Sequence, residues 1–119
     1  MPVTIYHNPR CSKSRQTLQL LEERHIEPTV VEYLKTPPDA EALDKLLQLL
    51  NMQPRDLMRK GEDEYKELNL SNESLSREQL IAAMIENPKL IERPIVVSFE
   101  HGKGKAAIGR PPESVLEIL

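Results

Sequence analysis

Val3-Thr4-Ile5-Tyr6-His7-Asn8-Pro9-Arg10-Cys11-Ser12-Lys13-Ser14 stands at the start of the chain, and its reading decides the fold. The first four residues form a β-prone run, Asn8-Pro9 punctuates it as a turn, and helix-compatible sequence follows Cys11 as far as about His25. Leu18, Leu20 and Leu21 offer that helix a buried stripe. Thr29-Val30-Val31-Glu32-Tyr33 then reads as a second strand. Strand, helix and strand in so short a span form a βαβ unit, with parallel strands joined by a right-handed crossover.

Downstream, Pro37-Pro38 closes this unit and Asp39 can cap a helix carrying Leu43, Leu46, Leu47 and Leu50, an i, i+3, i+4, i+7 apolar face. Pro54 opens a short helical piece through Leu57 and Met58. Ser76 with Gln79 three residues on is a capping-box pattern, followed by Leu80, Ile81, Met84 and Ile85 as an apolar face. From Asp39 to about Asn87 the sequence reads as a helical block without strand signals. After Pro94, Ile95-Val96-Val97-Ser98 restores the strand pattern, Gly102 and Gly104 supply a turn, and Lys105 to Ile108 reads as a returning antiparallel strand. Glu113 to Leu119 offers a last short helix. The order βαβ, helical block, ββα predicts an α/β protein of thioredoxin-like fold: a single domain over residues 1–119, with a helical insertion at about 39–87.

Composition narrows the function classes. With 119 residues, 39% of them hydrophobic, the chain can bury one modest core. Aromatics are only 3% and Trp is absent, which argues against base stacking on aromatic platforms. The net charge of −3 gives no general attraction to phosphate backbones, so nucleic acid is not an expected partner. No apolar run approaches the roughly 20 residues that span a bilayer, and no signal-peptide pattern begins the sequence. One cysteine cannot form an internal disulfide, and the expected compartment is the cytoplasm. Charge placement says more than the total. No acidic residue occurs from Met1 to Leu21, while Arg10, Lys13 and Arg15 crowd around Cys11. Chance in a short stretch would explain this, and so would an electropositive pocket for an anion or a thiolate.

Cys11 falls where strand, turn and helix start meet. There a thiol faces unpaired backbone N–H groups and the positive end of the helix dipole, both of which favour thiolate. The same N–H groups suit a tetrahedral oxyanion. A buried structural cysteine is the bland alternative, but Arg10, Ser12, Lys13 and Ser14 are all polar neighbours. Cys11-Ser12-Lys13-Ser14 occupies the place of the C-x-x-C of dithiol oxidoreductases, and a hydroxyl at Ser14 cannot resolve a mixed disulfide. Any redox cycle must therefore take a second thiol from outside. A tyrosine-phosphatase loop is excluded, because the residue six positions after the cysteine is Thr17 rather than arginine. Arg93-Pro94 is either a plain strand-start signal or a cis peptide beside the thiol, and both readings stay open. His7 either lowers the thiol pKa or fills a turn hydrogen bond. His25 and His101 are expected at the surface, Glu62, Asp63, Glu64 and Glu67 on a solvated helix face, and no spacing suggests a metal site.

Several segments in order along essentially the whole chain resemble the glutaredoxin-coupled arsenate reductases and their relatives. They are Ile5-Tyr6-His7-Asn8-Pro9 before Cys11, Ser14-Arg15, Leu57-Met58-Arg59-Lys60 with Tyr65-Lys66-Glu67-Leu68, Glu92-Arg93-Pro94-Ile95-Val96-Val97, and Gly109-Arg110-Pro111-Pro112-Glu113. The resemblance implies that Cys11 is catalytic, that Arg59, Arg93 and Arg110 bind the oxyanion substrate, and that His7 and Ser14 support the thiolate. It implies arsenate or a related oxyanion as substrate, glutathione as cosubstrate and glutaredoxin as partner, with no bound cofactor and no metal. Arg10, Ser12 and Lys13 depart from the small or uncharged residues expected there. Two other functions remain open: a glutathione-dependent thiol reductase of another substrate, and an Spx-like redox regulator. The regulator would need the C-x-x-C switch that Ser14 removes.

Overall fold

The computed structural model describes residues 2–100 and 103–119. The chain divides into two compact units, Met1–Thr36 with Arg93–Leu119, and Pro37–Glu92.

The first unit is built on a four-stranded sheet of β1 (Val3–Tyr6), β2 (Thr29–Val31), β3 (Ile95–Glu100) and β4 (Lys103–Ile108), in the order β2-β1-β3-β4. β1 and β2 are parallel, Ile5 opposite Val30. Parallel neighbours need a crossover, and helix α1 (Ser12–Glu23) supplies it. β3 runs antiparallel to β1, Ile5 opposite Val96, and β4 antiparallel to β3, Val96 opposite Ala107. Position in the sheet explains the sequence patterns. β3 is an inner strand and its Ile95, Val96, Val97 and Ser98 are all buried, hence the unbroken apolar run. β1 alternates, burying Val3 and Ile5 and half-burying Thr4 and Tyr6. Val3, Ile5, Leu21, Val96 and Val115 form the core, with Leu18, Ile26, Ala107 and Ile118 packed against it. This sheet with its crossover helix is the thioredoxin-like arrangement read from the sequence.

Four details differ from the sequence reading. β2 ends at Val31 rather than Tyr33, because a turn begins at Glu32, whose carbonyl accepts from the N–H groups of Lys35 and Thr36. The buried face of α1 is Ser14, Thr17 and Leu21, not the leucine stripe; Leu18 and Leu20 are only half-buried. Gly104 belongs to β4, opposite Phe99, and the strand starts at Lys103. The expected turn residue Gly102 and the surface position expected for His101 lie outside the described residues. The last segment is a 3-10 helix, Pro112–Ile118, rather than an α-helix.

The second unit is helical: α2 (Ala40–Leu50), α3 (Pro54–Leu57), α4 (Asp63–Glu67) and α5 (Arg77–Glu86), followed by a 3-10 turn, Pro88–Leu90. The caps are those read from the sequence. Asp39 accepts the Ala42 N–H at 2.8 Å, and Ser76 and Gln79 cap each other reciprocally at 3.1 and 2.8 Å. Leu43, Leu46 and Leu47 of α2 and Leu80, Ile81 and Met84 of α5 are buried, and Arg77 Nε joins the helices through Asp44 Oδ1 at 2.7 Å. Met58 does not continue α3: it forms a single antiparallel bridge with Ile91, so the block is not free of strand pairing. Among the described residues, no helix is long and apolar enough to cross a membrane.

Leu21 is fully buried, whereas Leu68 is 47% exposed. Leu21→Ala is expected to cost about 2–5 kcal/mol in urea unfolding, and Leu68→Ala less than about 0.5 kcal/mol. Equal costs would contradict the core assignment.

Candidate active site

The site is built on the loop between β1 and α1. β1 ends at Tyr6, and His7 remains tied to the sheet through its N–H to Val31 O at 2.8 Å. Asn8 then organises the loop three ways. Its carbonyl accepts the Cys11 N–H at 3.0 Å, its side-chain Oδ1 accepts the Arg10 N–H at 3.0 Å, and its own N–H donates to Ser14 Oγ at 3.0 Å. Cys11 is thereby fixed at the N-cap of α1 in extended conformation, φ −93 and ψ 124. No acidic residue lies in the first turn to oppose a negative charge there.

Cys11 as a residue is only slightly exposed, at 9%. Burial alone raises a thiol pKa, but here the net direction is downward. The opposing causes are the backbone N–H of Ser14, the Arg93 guanidinium, the backbone N–H of Lys13 and the Arg110 guanidinium. Arg110 Nη2 lies 3.7 Å from Cys11 Sγ, and its Nε donates to Arg93 O at 2.8 Å. Arg93 and Arg110, distant in sequence, thus act on one sulfur. Both precede prolines, and the Arg93-Pro94 and Arg110-Pro111 peptides are both cis. The first answers the question that the sequence left open; the second was not anticipated.

Ser14 and His7 are buried together, Ser14 Oγ lying 2.6 Å from His7 Nδ1. Because Ser14 Oγ already accepts from the Asn8 N–H, its own proton is directed at His7 Nδ1, which suits a neutral ring with its proton on Nε2. Burial lowers the His7 pKa, Glu32 opposes that shift and Arg15 adds to it. His7 therefore supports Ser14 as a neutral acceptor rather than as a cation.

Arg59 belongs to the helical unit. Its Nη1 pairs with Glu62 Oε1 at 2.7 Å and its Nε lies 3.8 Å from Glu92 Oε1, beside a shallow cleft of about 540 Å³ that Lys60 and Gly61 also line. Glu62 is thus an ion-pair partner rather than only part of a solvated face. His25 is exposed, as expected, with a left-handed φ of 61 at the end of α1. Among the described residues no three His, Cys, Asp or Glu side chains cluster as metal ligands.

Residues 6–118 match the ArsC family. The chain belongs to the ArsC family. It is 64% identical to the uncharacterized protein YfgD of Escherichia coli K12 over 118 residues, covering 98% of this chain and 96% of that one. With an arsenate reductase of Neisseria meningitidis it shares 48% identity over 118 residues, 98% of this chain and 97% of the other. The arsenate reductase structure from Vibrio cholerae superposes with a TM-score of 0.93 at 57% identity, covering 100% of this chain and 98% of that one.

Sequence reasoning missed how this ArsC chain packs the floor beneath its two arginines. Gly109 donates its N–H to Pro94 O at 2.9 Å, and a methyl group on Gly109 would stand 2.5 Å from Thr17 Oγ1 and 2.8 Å from Pro94 Cγ. Only glycine fits between α1 and the Pro94 turn. Thr17 fills the space with its hydroxyl satisfied by Lys13 O at 2.8 Å. The available signal was Gly109 directly before Arg110-Pro111-Pro112, which reads equally well as a mere strand breaker.

Gly109→Ala is expected to lower stability by about 1–3 kcal/mol in urea unfolding; an unchanged midpoint would show that Thr17 moves aside freely. The neutral His7 ring gives a pH dependence of definite sign. Its contribution is complete above the ordinary histidine value of about 6.5 and is lost as pH falls below it, because the unfolded chain takes up a proton that the folded chain resists. The melting-temperature advantage of wild type over His7→Gln should therefore shrink between about pH 7.5 and about pH 5.5. A constant or growing advantage would mean that His7 is charged in the folded protein.

Proposed function

We propose that this protein reduces arsenate to arsenite through the Cys11 thiolate, with electrons supplied by glutathione and glutaredoxin. The observation that carries this reading is the convergence of Arg110, Arg93 and the first N–H groups of α1 on a lone thiol whose pKa they lower. Membership of a family that includes relatives named arsenate reductase supports the choice of oxyanion.

The thiolate attacks arsenic(V); an As–S bond forms and one arsenate oxygen leaves as water after protonation. Guanidinium groups suit this substrate, because they hold tetrahedral oxyanions through paired charged hydrogen bonds and do not lose their charge. Arg93 and Arg110 fill this role at the sulfur, and the resemblance gives Arg59 a third share in it. An external thiolate then attacks Sγ. The new S–S bond joins it to Cys11, the As–S bond breaks, and its electron pair stays on arsenic, now arsenic(III). A second thiol, that of glutaredoxin, takes up the mixed disulfide and frees Cys11. Two thiols become one disulfide for each two-electron reduction. The single cysteine of the chain suits such a cycle, and a reducing cytoplasm would keep it ready.

The test is NADPH oxidation coupled through glutathione reductase, with glutathione, glutaredoxin and arsenate. Arsenate-dependent turnover should vanish in Cys11→Ser. Arg59→Ala, Arg93→Ala and Arg110→Ala should each raise KM for arsenate by about ten- to hundredfold, the worth of a charged hydrogen bond. No turnover from a wild-type thiol that alkylates quickly at neutral pH would reject arsenate and leave reduction of another substrate through the same Cys11.

A further inference from the structure

Arg10 and Lys13 flank Cys11 and are both exposed. The Arg10 backbone is pinned by Asn8 Oδ1, and Lys13 is the second residue of α1, so both side chains leave fixed backbone beside the thiol. Among the described residues neither forms an ion pair. Elsewhere in the chain Arg15 donates to Pro9 O at 2.9 Å, and Arg59 and Arg77 pair with Glu62 and Asp44.

Two ordinary explanations fail for this pair. A helix start favours acids, so cations just before and within the first turn of α1 run against local preference. Tuning of the thiol does not account for them either, because the side-chain charges that lower Cys11 are those of Arg93 and Arg110. The whole chain carries a net charge of −3, whereas Arg10 and Lys13 place two positive charges beside Cys11 in the sequence.

We propose that Arg10 and Lys13 recognise the carboxylate of a small anionic thiol and so select it, over uncharged thiols, as the reductant that resolves Cys11. The inference rests on the reductase reading, since it needs a thiol from outside, but not on arsenate as the substrate.

The test therefore omits arsenate. Cys11 is converted to its 2-thiopyridyl disulfide with 2,2′-dithiodipyridine, which leaves an uncharged adduct. Attack of an external thiolate on Sγ forms a new S–S bond and expels 2-thiopyridone, read by its absorbance. Glutathione is compared with its glycine ethyl ester, which keeps the thiol and lacks one carboxylate. An exposed charge pair is worth a factor of about 1.5 to 5 and the carboxylate meets two cations, so wild type should react about three- to tenfold faster with glutathione at low ionic strength. In Arg10→Gln/Lys13→Gln the ratio should fall to within about 1.5-fold of one, and about 1 M salt should lower it in wild type. Taking the ratio within one protein cancels any change in Cys11 itself. A wild-type ratio near one overturns the proposal and leaves the charges to an acidic macromolecular partner. A double variant that keeps the wild-type ratio overturns it equally. Success here alongside failure of arsenate turnover would reject only the substrate.

Discussion

The first unit holds one sulfur where competing electrostatic demands meet. Cys11 is nearly buried, and burial pushes a thiol toward its protonated form. The N–H groups of Ser14 and Lys13 and the guanidinium groups of Arg93 and Arg110 push the other way and prevail. Each works only at short range, so the sulfur must be held where they meet. The parallel β1–β2 pair requires a crossover helix, the helix must begin just beyond the end of β1, and Asn8 closes that gap with its carbonyl, its side chain and its N–H.

The two arginines depend on that frame as closely as the cysteine does. They flank the open end of the β3–β4 hairpin, Arg93 ahead of β3 and Arg110 after β4. The hairpin brings those ends together, with Ile95 opposite Ile108. The Gly109 N–H to Pro94 O bond continues the pairing one step outward, and the Arg110 Nε bond to Arg93 O continues it again. Sheet register thereby sets the geometry of the candidate site. Gly109 lets Thr17 of α1 come close to this junction. The polar buried face of α1 follows: Ser14 serves His7 and Asn8, and Thr17 meets Gly109, where leucines would pack but could not bond.

The legible parts of the sequence were those in which local chemistry and tertiary role agree. The β1 run, the Asp39 cap and the Ser76–Gln79 capping box each specify their own structure within a few residues, and the leucine face of α2 does so within a few turns. Cys11 stood out in the sequence as a candidate nucleophile because its neighbours are polar and basic. The rest depends on contacts far apart in the chain. A leucine-rich α1 gives no sign that Ser14 and Thr17 are its buried residues, since their burial is decided by His7 and by Gly109. Met58 leaves its helix because Ile91, 33 positions on, offers a bridge. Arg93 and Arg110 could be paired from the sequence only through family resemblance, because no periodicity connects residues on either side of a hairpin. For Arg59 the resemblance supplies a role, while its observed partners are Glu62 and Glu92 of its own unit.

The central claim is that backbone N–H groups and guanidinium charge outweigh burial at Cys11. The most direct measurement is an ultraviolet thiolate titration of wild type and Arg110→Gln, with Cys11→Ser subtracted to remove tyrosine. The chain has one cysteine, so the signal has one source. The account predicts a wild-type midpoint below the ordinary cysteine value of about 8.5, and a higher midpoint in Arg110→Gln. A wild-type midpoint at or above the ordinary value would mean that burial prevails, and would contradict it.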